Sequence, residues 1–333
     1  MKRFVVKTII FVVTVIIGMV IIGITLPYNK DGYIRAQKFK MDKLAQPNRK
    51  PTIVILGGSN AAFGYDTKQL NDSLPMPIFN AGLHAGMGMK FFLDDCSQYL
   101  KNGDVLVFSP EYDQFYGNLN DGQGEMTDAF YLYRCHYPGK MSYKQFIGII
   151  QNTPSFLKRK MEYNLFALAH LKTDPVYTLS SVNDYGDVTW HWSHNRAHGN
   201  PDGLGMDRGN LPFNEDAFNY MLSKLDELKK RGVRIVMYPA AFERSAFDGS
   251  RKTVAYISNR LLKAGYPYVC NPIECTFDTD KFYDTNYHLN HDGALLHNQH
   301  IIRILKSKFF KITNESTTNK YFLSIRKYWT NHV

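Results

Sequence analysis

The run Thr52-Ile53-Val54-Ile55-Leu56, closed by Gly57-Gly58-Ser59-Asn60, constrains the fold more than any other part of the chain. Its β-branched residues favour a strand, and its lack of polar alternation leaves no face suited to water. Such a strand belongs inside a parallel sheet covered on both sides. Three further runs read the same way. They are Ile78-Phe79 before Asn80-Ala81-Gly82, Asp104 to Phe108 before Ser109-Pro110, and Val233 to Tyr238 before Pro239. Helical patterns lie between and after them. The clearest starts at Asn214, with Glu215 and Asp216 in its first turn and Phe218, Met221, Leu222, Leu225 and Leu228 along one face. Lys229-Lys230-Arg231 and Gly232 end it, so the helix dipole and the C-cap agree. Another helix runs from about Lys252 to Lys263, and a last one follows Gly293. The alternation predicts an α/β fold over residues 51–311, a three-layer α/β/α sandwich around a central parallel sheet. Residues from about 117 to 212 are rich in Tyr, Asn, Gly and His and break the pattern. They read as a large insertion above the sheet, a lid or substrate platform.

The N-terminus adds a second constraint. Lys2, Arg3 and Lys7 precede Thr8 to Leu26, a stretch without a charged residue. It has the length of a membrane-crossing helix. A cleaved signal peptide would need a shorter apolar stretch and a small-x-small site, whereas Leu26-Pro27-Tyr28-Asn29-Lys30 follows. Residues 1–26 are therefore expected to be an uncleaved single-pass transmembrane signal anchor, residues 27–50 a polar stalk, and residues 312–333 a C-terminal tail. Lys30, Arg35, Lys38 and Lys40 flatten the charge asymmetry that sets orientation. The arrangement of export signals still places the domain outside, at the cell membrane on the periplasmic or cell-surface side. The net charge of +10 is dispersed, with no block of five or six basic residues. It suits anionic membrane lipid better than nucleic acid, for which no module can be read.

Cysteine and histidine spacings point to neither a metal nor a cofactor. Cys270 and Cys275 are close enough to close a small loop, and Cys96 and Cys135 are the remaining pair. Four partly buried thiols are the simpler reading, and no C-x-x-C spacing marks zinc. His191, His194 and His198 have spacings that would share one helical face, as a zinc site requires. Ordinary loop or surface histidines are again simpler. His291, three residues after His288, is read in the same way.

Ligands of open α/β sheets bind beyond the carboxyl ends of the strands. There, Gly57-Gly58 permit a sharp turn that puts Ser59 at the start of a helix, whose backbone N–H groups can stabilise an oxyanion. A serine nucleophile needs a base, and the base needs an orienting acid. His288 and Asp284 would supply both from one loop, Phe282 to Gly293. After the second strand comes Asn80-x-Gly82, with His84 and Gly86 close behind. Asn80, His84, Glu111, Arg244 and Asn290 are candidates for substrate contact. Glu111 reads equally as a site carboxylate or a helix cap, and Arg244 as an anion contact or a solvated side chain.

The order of these segments resembles the SGNH (GDSL-like) hydrolase superfamily across residues 52–307. Ile55-Leu56-Gly57-Gly58-Ser59-Asn60 looks like its first block, with Ser59 as nucleophile. Asn80 to Gly86 looks like the second, which supplies an oxyanion-hole N–H, here assigned to Gly82. Asp284 to His288 looks like the last block, with its acid and base. The anchor, the insertion and Tyr287-His288-Leu289-Asn290-x-x-Gly293 are similar to membrane-tethered branches that act in O-acylation of surface polysaccharides or D-alanylation of teichoic acid. The resemblance implies a serine esterase or O-acyltransferase acting on a cell-envelope polysaccharide or other acylated glycan, with an O-acetyl group as the expected cargo. It also implies, as a second option, a catalytically degenerate glycan-binding or scaffolding partner of a membrane-bound O-acyltransferase. Two departures stand out. The family's third block ends in Gly-x-Asn-Asp, where this chain has Ser109-Pro110-Glu111-Tyr112-Asp113, so Asn60 is the expected substitute for the missing oxyanion donor. The acid normally precedes the histidine by three positions, where this chain has Thr285, with Asp284 four before.

Overall fold

The structure is a computed structural model that describes residues 1–122, 124–133, 141–169, 174–193 and 211–310. Cys135, His194, His198 and the tail at 312–333 lie outside the described residues. In chain order the elements begin with α1 (Lys2–Thr25), α2 (Ala36–Leu44), β1 (Ile53–Gly57), α3 (Ser59–Ala62) and α4 (Thr67–Ser73). They continue with β2 (Ile78–Asn80), α5 (Met89–Ser97), β3 (Val105–Ser109), α6 (Glu125–Leu132) and α7 (Tyr143–Leu168). The last are α8 (Glu215–Lys230), β4 (Arg234–Met237), β5 (Phe242–Glu243), α9 (Arg244–Gly249), α10 (Arg251–Lys263), β6 (Thr276–Phe277) and α11 (His291–Leu305).

Four strands form a parallel sheet in the order β2-β1-β3-β4. Every residue of β1 and β3 is buried. Because successive side chains point to opposite faces, these strands feed two cores. Val54, Leu56, Leu106 and Phe108 pack with Phe92 of α5 and Met221 and Leu225 of α8. Ile53, Ile55, Val105 and Val107 pack with Leu70 of α4 and Ile301 and Leu305 of α11. The fold is thus mixed α/β with a central parallel sheet and helices on both of its faces. The α8 N-cap forms as its sequence predicts, with Asn214 Oδ1 accepting the Ala217 N–H at 2.9 Å.

The segment expected as a polar stalk folds onto the domain instead. Tyr33, Ile34, Met41 and Leu44 are buried in the first core. Their apolar area outweighs the polar average of the segment, which hides the buried face of α2. The buried Lys40 donates to the carbonyls of Gly82 and Gly186, the second at 2.7 Å. Burial lowers its pKa to about 7. Arg49 makes a two-pronged pair with the fully buried Asp104, at 2.9 and 2.7 Å. Asp104 also accepts the N–H groups of Thr52 at the entrance to β1 and Lys101 before β3.

The chain leaves the sheet region and returns at one point, where Tyr116 and Phe213 form an antiparallel bridge. Between them, α6 and α7 stand beside the second-strand end, and residues 174–193 run back along it. Asn80 N–H donates to Tyr185 O, and Val188 N–H donates to Ala62 O, both at 2.9 Å. This part of the insertion is bonded to the site's framework. Helix α1 exposes a series of large apolar side chains, among them Phe4, Ile9, Phe11, Ile16 and Ile21. Among the described residues no helix is long and apolar enough to cross a membrane, so the anchor expected over residues 1–26 is not shown by the fold.

If residues 45–50 belong to the domain, Arg49→Met leaves the Asp104 carboxylate without its ion pair. Breaking such a buried pair costs about 3–5 kcal/mol. Urea denaturation of the purified chain is expected to show a loss of that order, whereas a freely solvated linker would give none.

Candidate functional site

The paired register brings the site together. Gly57 of β1 faces Ser109 of β3, so the residues two beyond each, Ser59 and Glu111, meet at the carboxyl edge. A side chain at 57 would lie 2.4 Å from Ser109 O, and one at 58 would lie 2.6 Å from Glu111 Oε1. Only glycines allow this approach. The Ser59 hydroxyl donates to Glu111 Oε1 at 3.0 Å, and the Asn60 N–H donates to the same oxygen at 2.9 Å. Glu111 is buried, and burial raises its pKa, opposed by the Asn60 N–H and the nearby His288.

The other half of the site comes from the loop before α11. His288 Nδ1 lies 2.6 Å from Asp284 Oδ1. Burial pushes Asp284 up, but the hydrogen bond and charge of His288 and the hydroxyl of Tyr177 outweigh it and hold the carboxyl below its usual range. The four-residue offset between acid and base therefore still closes the pair. Tyr283 N–H donates to His288 O at 2.7 Å, which tightens the loop. The imidazole stacks on Phe63 with ring centres 4.1 Å apart. Phe63 follows Ser59 by four residues, and its N–H donates to Ser59 O. The candidate base is thus packed on the residue that lies about one helical turn after the candidate nucleophile. Among the described residues His288 Nε2 has no hydrogen-bond partner, and Ser59 is turned to Glu111 rather than to it.

Tyr177 was not indicated by any sequence signal. It arrives from the insertion, donates its hydroxyl to Asp284 Oδ2 and lies 3.3 Å from His288 Nδ1. Burial and the Asp284 charge raise its pKa far above the ordinary phenol value, so it remains a donor. His84 joins from the second block. Its Nδ1 accepts the Gly86 N–H at 3.1 Å, which leaves the proton of the neutral ring on Nε2. Burial lowers its pKa, against the pull of Glu125. His84, Tyr177, Tyr33 and Glu125 line a cleft of about 310 Å³ that extends to Arg159 and Lys160 of α7.

The remaining candidates have other partners. Asn80 donates to Ala61 O and Asp187 Oδ1, both at 2.8 Å, and accepts the Gly82 N–H at 3.0 Å. The N–H expected in the oxyanion hole is therefore committed to Asn80. The Asn60 side chain donates to Ser109 O and Oγ. Asn290 caps α11 by accepting the Gly293 N–H at 3.0 Å. Arg244 pairs with Asp278 at 2.7 Å on the surface. His191 is buried, bonded to Leu289 O at 3.0 Å, and burial lowers its pKa to about 4. His291 stacks on Trp192 and lies 3.3 Å from Asp66. Ser59, Glu111, His84, His288, Asp284 and Tyr177 are the set that the fold gathers.

Comparison of this chain with protein-family models, with curated proteins and with solved structures finds no match to any of them.

The raised pKa of Glu111 has a direct consequence for stability. Between its unfolded and folded values the native state holds a proton that the unfolded chain has lost, so stability falls as pH rises through that window. Glu111→Gln keeps an acceptor for Ser59 and Asn60 while removing the buried acid. The variant is expected to gain stability over wild type from the ordinary glutamate pKa upward, with little difference below it. Melting curves at pH 4 to 8 test this, and a difference independent of pH would refute it.

Proposed function

We propose that this chain is a membrane-anchored, extracytoplasmic serine esterase or O-acyltransferase of the SGNH (GDSL-like) type, acting on a cell-envelope polysaccharide. The observation that carries the reading is the Asp284–His288 pair, closed at 2.6 Å, with its imidazole stacked on Phe63, four residues after Ser59. In this reading Ser59 Oγ turns from Glu111 toward Nε2 and attacks an acyl carbonyl. His288 takes the serine proton, and Asp284, steadied by Tyr177, stabilises the imidazolium. The oxyanion is met by the Ser59 N–H and by Glu111 when it carries a proton. The acyl-enzyme then passes its group to water or to a sugar hydroxyl. Which acceptor wins depends on water exclusion at Ser59; the neighbouring cleft, which meets the site at Tyr177 and His84, takes Tyr177 and Arg159 from the insertion.

One set of contacts favours a second reading, a glycan-binding or scaffolding partner of a membrane-bound O-acyltransferase. Glu111 holds both the Ser59 hydroxyl and the Asn60 N–H, and Asn80 holds the Gly82 N–H. A fluorophosphonate probe and an acyl-ester substrate separate the two, applied to the full chain in detergent. The enzyme reading expects rapid labelling that disappears in Ser59→Ala, with ester turnover falling about a thousandfold or more. Absence of labelling, together with glycan binding that survives Ser59→Ala, would establish the second reading.

The membrane anchor is supported by the uncharged stretch from Thr8 to Leu26 and by the exposed apolar side chains of α1. Full-length chain expressed in a bacterial host is expected to resist extraction from membranes by alkaline carbonate. Deleting residues 1–26 is expected to release it, and extraction of the intact chain would count against anchoring.

A further inference from the structure

On the sheet face opposite the cleft helices, Cys270 and Cys275 lie beside two residues of α11, His297 and His300. The Cys270 and Cys275 Sγ atoms are 3.8 Å apart, and Cys275 Sγ is 3.9 Å from His300 Nδ1. The two thiols and His300 Nδ1 all lie within 4.8 Å of one another. Tetrahedral zinc with Zn–S bonds of about 2.3 Å separates two sulfurs by about 3.8 Å, and a sulfur from a nitrogen by about 3.5 Å. His297, adjacent to this trio on α11 but outside the group whose ligand atoms lie within 4.8 Å of one another, is the candidate that would have to close in to supply the fourth corner. Its Nδ1 lies 2.9 Å from Gly64 O, and its Nε2 is buried without a partner. His297 itself is 1 % exposed.

The other nitrogen of each histidine is held as a metal ligand's would be. Ligating histidines donate their second N–H to a carbonyl or carboxylate, which fixes the tautomer and aims the lone pair. His297 Nδ1 has the Gly64 carbonyl, and His300 Nε2 has Glu274 Oε2 at 3.3 Å. His300 Nδ1 lies 2.9 Å from the Tyr238 hydroxyl, a contact that a bound cation would replace.

We propose that Cys270, Cys275, His297 and His300 form a structural Cys2His2 site for a thiophilic divalent cation, zinc by its chemistry. The spacings, C-x4-C and H-x2-H, come from segments more than twenty residues apart, which is why no compact motif marks the site. On binding, each cysteine still protonated and any protonated histidine release their protons to solvent, and two thiolate sulfurs and the imidazole nitrogens take up the cation. The cation would tie α11 to the segment that crosses the edge of β4, where Tyr268 bridges Met237. It would thereby hold the helix that begins three residues after His288.

The test uses the full-length chain, purified with reductant and stripped of metal, and titrated with Co²⁺ alone. The site predicts a thiolate-to-cobalt charge-transfer band and tetrahedral d–d bands that saturate at one equivalent and are displaced by Zn²⁺. Cys275→Ser is expected to abolish the charge-transfer band or shift it and weaken it, whereas Cys96→Ser leaves it unchanged. Zn²⁺ is expected to raise the melting temperature of the wild type, and EDTA to reverse the rise. Absence of the bands in folded wild-type chain overturns the proposal, as does a Cys270–Cys275 disulfide in protein isolated without reductant. The wild-type titration stands by itself if a variant fails to fold.

Discussion

Gly57 and Ser109 face each other at the ends of two strands that are buried on both sides. Everything else at the site depends on that register. A slip by one residue would exchange the two cores, because alternate residues of β1 and β3 feed opposite faces. The register is therefore held by the burial of both sets of side chains, and with it the meeting of Ser59 and Glu111. Lys40 and Asn80 fix the neighbouring backbone, one by binding the Gly82 carbonyl and the other by binding its N–H. Asp104 does the same at the opposite end of the strands, where Arg49 and two backbone donors converge on it. Polar groups thus bond the backbone at both ends of an apolar sheet.

What could be read from the sequence was the part governed by local pattern. Short runs of β-branched residues ending in Gly, Ser or Pro became the parallel strands, and Asn214 with its acidic first turn became a capped helix. Asp284 and His288 could be paired because acid and base share one loop. Longer-range partners could not be seen. Tyr177 reaches Asp284 across 107 residues, and Asp187 reaches Asn80 across the same distance. Arg244, a candidate for anion binding, is engaged by Asp278, which no local pattern ties to it. The stalk was misread for a related reason. Composition averages over a helix, so the buried face of α2 vanished behind Lys38, Lys43 and Asp42 on its outer side.

The C-terminal helix links the base to the body of the fold. Asn290 caps it, Leu289 O engages the buried His191, and His297 binds Gly64 O just beyond α3. His288 is thus held between a capped helix and the serine-bearing turn, with Phe63 stacked on its ring. A cation on His297 and His300 would act on the same helix from its middle. Its effect would be felt as the placement of the imidazole, since only Leu289 and the cap residue Asn290 lie between His288 and the first turn of α11.

On the proposed serine-hydrolase reading, Glu111 is the residue whose protonation would separate an enzyme from a binding protein. Its Oε1 lies where Ser59 Oγ and the Asn60 N–H converge. An ionised carboxylate facing a developing oxyanion at about 4 Å would cost about 4 kcal/mol at an effective dielectric of 20. That repulsion alone would slow acylation by about a thousandfold. The protonated acid reverses the sign, because it can donate to the oxyanion, and one such donor contributes about 3–4 kcal/mol. Burial favours the neutral form, whereas the Asn60 N–H and His288 favour the charged one. When His288 takes the serine proton, its new positive charge strengthens the second tendency, but Asp284 stands on its far nitrogen to absorb much of that charge. The pairing of His288 with Asp284 therefore does more than orient the base. In the proposed reaction it would also limit the imidazolium's pull on Glu111, which favours the charged acid.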